Sequence, residues 1–183
     1  MHRRAVVSIL CLFSVAPAFA LEMPPRKPGL WELKMDFEAL KLPARVMQHC
    51  VDAATDKLLN AQFGGPATAA CSKQDVQNVA GTMIVDSVCK FSDATTTTHA
   101  VIAGRFDSAY TVDVTSTREG GRALPSQAPG APTHMKIEAK WLGACAADQK
   151  PGDIMMGYGM KINILDMPKP GQMPKMPGVS PRP

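Results

Sequence analysis

Aromatic side chains make up only 5% of this 183-residue chain. Past residue 20 no apolar run approaches the roughly 20 residues that a membrane-spanning helix needs. Short catalytic and cofactor signatures are missing too. There is no CxxC, which argues against a zinc ribbon or a thioredoxin-like redox centre. H-E-x-x-H, G-x-S-x-G and a P-loop are absent, which removes the usual sequence support for a zinc peptidase, an α/β-hydrolase nucleophile or a phosphate cradle. Clustered cations are lacking as well. Beyond residue 20 there are 18 basic against 16 acidic residues, and three of the bases (Lys169, Lys175, Arg182) lie in a tail with no acid after Asp166. Residues 21–166 carry 15 bases and 16 acids, so the pI of 8.9 reflects the chain ends rather than a basic face. Nucleic-acid binding calls for grouped cations with stacking aromatics. Here the aromatics after residue 20 are Trp31, Trp141, Tyr110, Tyr158 and four Phe, and that class is excluded.

The N-terminus is the first positive signal. Arg3 and Arg4 precede an apolar run from Ala5 to Val15, and Ala18-Phe19-Ala20 supplies the small-x-small pattern of a signal-peptidase site. Cleavage after Ala20 is expected, leaving a mature chain that begins at Leu21, of one-domain length and with no membrane span. Cys11 is a poor lipid acceptor because Leu10 stands where a lipobox has a small residue. Periplasmic or secreted localisation follows as an expectation. Four cysteines then remain, Cys50, Cys71, Cys89 and Cys145. An even number in an exported chain indicates two structural disulfides. Three connectivities are open. The preferred one joins Cys50 to Cys71, across the segment between two strands, and Cys89 to Cys145.

Period-two alternation dominates the rest. Trp31, Leu33, Met35 and Phe37 oppose Glu32, Lys34, Asp36 and Glu38, while Met135, Ile137, Ala139 and Trp141 oppose His134, Lys136, Glu138 and Lys140. Such alternation marks strands with one dry and one wet face. Further strands are expected in KLPARVMQHCV, CSKQDVQNV, TMIVDSVCKF, DATTTTHAVIAGRF and SAYTVDVTSTR, with Ala80-Gly81 as a turn. DAATDKLLN loses the alternation and reads as a short helix capped by Asp52 or Thr55, with Leu58 and Leu59 inward. AQFGGPATAA and EGGRALPSQAPGAPT are loops. The expected fold class is all-β with one short helix. About seven strands form an antiparallel meander, closed as a small barrel or sandwich and stapled by disulfides. This β-rich domain is expected over residues 21–153. A Met/Pro-rich segment follows over 154–183, extended from about residue 166.

These landmarks have a familiar order. KPGLWE at 27–32, HCV around Cys50, Cys71, VCK around Cys89 and WLGACAADQKPGD at 141–153 together resemble the bacterial exported family known as domain of unknown function 3617. The resemblance covers about residues 27–153. It implies a periplasmic or secreted β-rich domain and brings no catalytic residues.

Candidate chemistry is sparse. Met155, Met156, Met160, Met167, Met173 and Met176 place six of the twelve methionines within twenty-two residues. Thioether sulfur suits copper(I), but the spacing is irregular and no His or Cys is nearby, so ordinary tail composition is the preferred reading. His49, His99 and His134 have no ligand spacing. Ser87-Val88-Cys89-Lys90 matches S-x-x-K, yet in a strand residues three apart point to opposite faces. No catalytic residue, cofactor or metal is assigned. The unresolved question is what the face of Trp31, Leu33, Met35 and Phe37 meets. Filled cores are the rule, which favours packing against Met135, Ile137 and Trp141. The alternative is that these seven residues line an apolar cavity. The functional expectation is accordingly a non-enzymatic binding or structural module of the cell envelope. The alternative is a periplasmic carrier of a hydrophobic small molecule; an envelope protein is the other candidate partner.

Overall fold

A computed structural model describes residues 23–38, 43–63, 71–121 and 130–167. The expected signal segment and the rest of residues 1–22, both long loops in large part and the residues after Met167 lie outside them. All seven expected strands are present: β1 (Gly29–Phe37), β2 (Arg45–Val51), β3 (Cys71–Val79), β4 (Thr82–Phe91), β5 (Ala94–Arg105), β6 (Ala109–Gly120) and β7 (Thr133–Gly143). Two three-residue strands follow, β8 (Asp153–Met155) and β9 (Lys161–Asn163), and the helix α1 (Ala53–Phe63) joins β2 to β3.

All strands lie in one antiparallel sheet, in the order β3-β4-β5-β6-β7-β1-β2-β8-β9. The sheet is open. This corrects the expectation of a barrel or sandwich, and the reason lies in β2: its free edge is taken by β8 (Gln48 opposite Met155, His49 opposite Ile154), so it never reaches the far edge strand β3.

The alternation becomes two faces, as period-two side chains require. Trp31 sits opposite both Trp141 and His49, Leu33 opposite Ala139 and Met47, and Met35 opposite Ile137 and Arg45. The apolar row continues through Tyr110, Val112, Ile102 and Met83. Trp31 has no exposed surface and anchors a core that includes Leu33, Val51, Leu59, Tyr110, Ala139, Ile154 and Ile164. Helix α1 starts on a reciprocal cap. Asp52 Oδ1 accepts from Thr55 N at 2.8 Å and Thr55 Oγ1 accepts from Asp52 N at 3.0 Å. Asp52 is therefore the cap. Leu59 is buried but Leu58 is 44% exposed, so only one of the two leucines faces inward.

The disulfides are Cys50–Cys145 and Cys71–Cys89, which corrects the preferred pairing. Cys71 and Cys89 are opposite residues of the β3–β4 ladder. Cys50 lies in β2, six places from β3 in the sheet order, too far to meet Cys71. Cys145 instead follows β7, and the Cys50–Cys145 bridge spans the start of β1 that lies between them.

Candidate functional site

The two most legible motifs turn out to be braces. At Gly29, with φ of +131°, a Cβ would stand 2.2 Å from the carbonyl oxygen of Gly143; only glycine lets β1 and β7 approach this closely. Around it, Trp31 Nε1 donates to Lys27 O at 2.8 Å and Trp141 Nε1 to Pro28 O at 3.1 Å. The Lys27 ammonium sits 3.5 Å from the centre of the Trp141 ring. At the other end of the resemblance, Asp153 is buried at the start of β8. It accepts from Lys150 N at 2.9 Å and Asn163 Nδ2 at 2.8 Å, with Lys161 Nζ at 3.2 Å. Burial pushes this carboxyl up, but the donors together outweigh it and hold it below the ordinary range.

A depression lies where β1, the start of β2 and the β8–β9 turn converge. It is an open groove of about 690 Å³ lined by Met35, Pro43, Ala44, Arg45, Val46, Met47, Met156, Gly157 and Met160. Met35 and Met47 reach it as alternate apolar-face residues of paired strands. Met156 and Met160 enter from a turn closed by Met156 N donating to Met160 O at 2.8 Å. Arg45 is the one charged residue among these nine. Two other depressions, of about 570 and 380 Å³, are bordered by charged groups: Arg26, Lys27, Arg105 and Asp107 in one, and Glu32, Lys34, Glu138 and Lys140 in the other.

Next to Met47 on the same face of β2 is His49, 6% exposed. Its Nε2 lies 3.2 Å from Met47 Sδ, and its buried Nδ1 has no hydrogen-bond partner. Burial, with the positive charge of Arg26 adding to it, pulls the imidazole from 6.5 down to about 3. The ring is neutral at neutral pH. Arg26 is itself buried against Asp56, and Tyr110, whose hydroxyl burial pushes up, stands beside this pair.

A pH dependence of stability follows. The unfolded chain binds a proton at His49 near 6.5, while the folded chain resists until about 3. The contribution is therefore complete above 6.5 and is lost as pH falls toward 3. Between those values it declines by up to about 1.4 kcal/mol per pH unit. Urea unfolding from pH 7 to about 4.5 should show this slope, and His49→Gln should flatten it; parallel slopes for the two proteins would refute the assignment. Stopping near 4.5 stays above the range where Asp52 and Asp153, both held below ordinary values, would add to the loss.

The seven residues proposed from sequence to line a cavity divide in the structure. Trp31 and Leu33 are core, Ile137 and Trp141 pack at its margin, and Met35 alone lines the methionine groove. Phe37 and Met135 are opposite each other and half-buried. The other histidines stay on the polar face: His99 Nδ1 lies 2.8 Å from Asp86 Oδ1, and His134 Nδ1 lies 3.1 Å from Thr115 Oγ1. Asp86, His99, Thr115 and His134 form one cross-strand row. His99 and Asp86 are about half exposed, a solvated ladder rather than a cleft. Ser87 of the S-x-x-K match is buried in β4 and Lys90 points to the opposite, exposed side. Among the described residues no three of His, Cys, Asp and Glu come together as a metal-holding group, and no helix is long and apolar enough to cross a membrane.

What fold and groove define together is a disulfide-braced, open antiparallel sheet with a helix in the connection from β2 to the edge strand β3. The chain belongs to the family described as protein of unknown function (DUF3617), whose pattern matches residues 26–145. No curated protein and no solved structure matches it. The match covers β1 through Cys145 and so takes in all four disulfide cysteines, whereas Met156 and Met160 lie beyond it.

Proposed function

We propose that this protein is an exported, non-catalytic binding module of the bacterial cell envelope, and that the methionine groove receives an apolar small molecule. The observation that carries the reading is the groove itself. Ligand sites are concave, mostly apolar and typically 300–1,000 Å³ in volume, and this one, at about 690 Å³, has four thioether side chains along its walls. Unbranched methionines adapt to varied apolar shapes. Among its described lining residues a single charged one leaves no converging acid and base for catalysis. Export is supported by Arg3, Arg4 and the Ala18-Phe19-Ala20 site. Two disulfides suit an oxidising compartment.

N-phenyl-1-naphthylamine, an uncharged apolar fluorophore, provides the test. The mature protein should bind it saturably at one site. Met35→Glu and Met156→Glu, each placing a charge in the groove, should weaken it at least tenfold while circular dichroism stays unchanged. No saturable binding, or binding indifferent to both substitutions, would defeat the reading. Fractionation of expressing cells, with N-terminal sequencing that begins at Leu21, tests the export part separately.

A further inference from the structure

The sheet ends at β3, whose outer edge pairs with no other strand among the described residues. Such an edge invites a further strand, and proteins usually blunt it with proline, a bulge, shortness or lone lysines. β3 runs for nine residues without proline, and its register shift lies before Lys73. The far edge, β9, has three residues, too few to offer a comparable ladder. The charges on β3 are the telling part. Asp75 lies directly opposite Asp86 of β4, and like charges in that position repel. Asp86 has His99 beside it at 2.8 Å, whereas Asp75 accepts only from the neutral Gln77 Nε2, at 2.9 Å. Lys73 is exposed two residues before it, and among the described residues neither Lys73 nor Asp75 forms an ion pair.

The hairpin sets which backbone groups face outward. Val79 and Thr82 flank the two-residue Ala80-Gly81 turn, and residues flanking such a turn exchange both hydrogen bonds. Alternation then has Lys73, Asp75, Gln77 and Val79 bond to β4, and it turns the N–H and C=O of Gln74, Val76 and Asn78 outward. We infer that this edge pairs antiparallel with the same edge of a second copy of the chain, about a two-fold axis at Gln74. In that register the two Gln74 residues exchange backbone bonds, and each Lys73 stands opposite the Asp75 of the other copy. Opposite charges directly across a ladder stabilise it. The pairing is isologous, so it closes at two chains. Other registers lack this match. An axis at Asp75 opposes the two aspartates, one at Lys73 opposes the two lysines, and one at Val76 sets Lys73 against Val79. A lysine that would guard the edge by itself becomes self-complementary with Asp75 at this spacing.

Sedimentation velocity of the mature, disulfide-intact protein tests this. A concentration-dependent dimer is expected, weakening as salt screens the exposed charge pairs. Lys73→Glu and Asp75→Lys should each weaken association at least tenfold. Mixing the two variants should restore it, because every charged contact across the axis then joins opposite signs. Gln74→Pro removes an outward N–H that the β3–β4 ladder does not use, and it should give a monomer with unchanged circular dichroism. A protein that stays monomeric at millimolar concentration would overturn the pairing, as would a dimer indifferent to Gln74→Pro and to both charge variants. So would a mixture of the two charge variants that associates no better than either alone. A monomer that instead takes up an unrelated extended peptide along β3 would assign the edge to that partner and equally remove the second copy.

Discussion

Replacing Asp56 with alanine is expected to lower stability by about 3–5 kcal/mol, the usual cost of removing one partner from a buried ion pair. Asp56 is 1% and Arg26 5% exposed. Asp56 Oδ1 accepts from Arg26 Nε at 2.6 Å and Oδ2 from Arg26 N at 2.8 Å. Without the carboxylate, a guanidinium and a backbone N–H would be left in the interior with their acceptor gone. The loss would spread through the fold, since this pair ties α1 to the segment leading into β1. That segment also bonds to the β5–β6 turn through Lys27 N and Phe106 O, at 2.8 Å, and places Arg26 over the Trp31 ring, 5.9 Å from its centre. The charge itself is not what the fold needs. Arg26→Met combined with Asp56→Leu should recover most of the loss, because an apolar pair of similar volume avoids desolvating two ions. Urea midpoints of the two single variants and the double variant would settle the matter. A cost below about 1 kcal/mol for Asp56→Ala would mean that the pair behaves as a solvated surface bridge.

Which parts of this molecule were legible in the sequence follows from the range of the interactions. The alternation in Trp31–Phe37 and Met135–Trp141 is local, and it correctly placed those residues on one face of adjacent strands. Closure is a different matter, depending on which edges remain free. β1 pairs with β7 and β2 extends the sheet, so a barrel would close if β2 met β3; the three-residue β8 prevents this and is too short to show alternation. The same ladder assembles the methionine groove. Met156 and Met160 look like tail composition beside Pro-rich sequence; only the β2–β8 pairing brings them to Met47. The Cys71–Cys89 bridge, by contrast, left a usable trace. Ala80 and Gly81, with φ of 51° and 82°, form the two-residue turn expected from sequence. Counting outward from it pairs Gln74 with Ser87 and Lys73 with Val88, and one bulge then brings Cys71 opposite Cys89.

That bridge and its partner should differ in worth, and the difference is measurable. Cys50–Cys145 closes a separation of 95 residues and Cys71–Cys89 one of 18. On the chain-entropy account their removal should cost about 4.7 and about 3.2 kcal/mol respectively, since the restraint on the unfolded chain grows with the logarithm of the loop. Position in the fold sharpens the contrast. Cys50 is 1% exposed, and its carbonyl accepts from Gly152 N at 2.8 Å, so the long bridge fastens β2, the strand next to β8, to the end of β7. The short bridge only reinforces a hairpin already held by its own ladder, at the edge of the sheet. Cys50→Ala/Cys145→Ala should therefore loosen the groove as well as lower the urea midpoint, and it should weaken N-phenyl-1-naphthylamine binding. Cys71→Ala/Cys89→Ala should shift the midpoint less and leave that affinity unchanged. The reverse order, with the hairpin bridge dominating both stability and binding, would show that the β3–β4 edge rather than the β7–β1–β2 centre supports the groove.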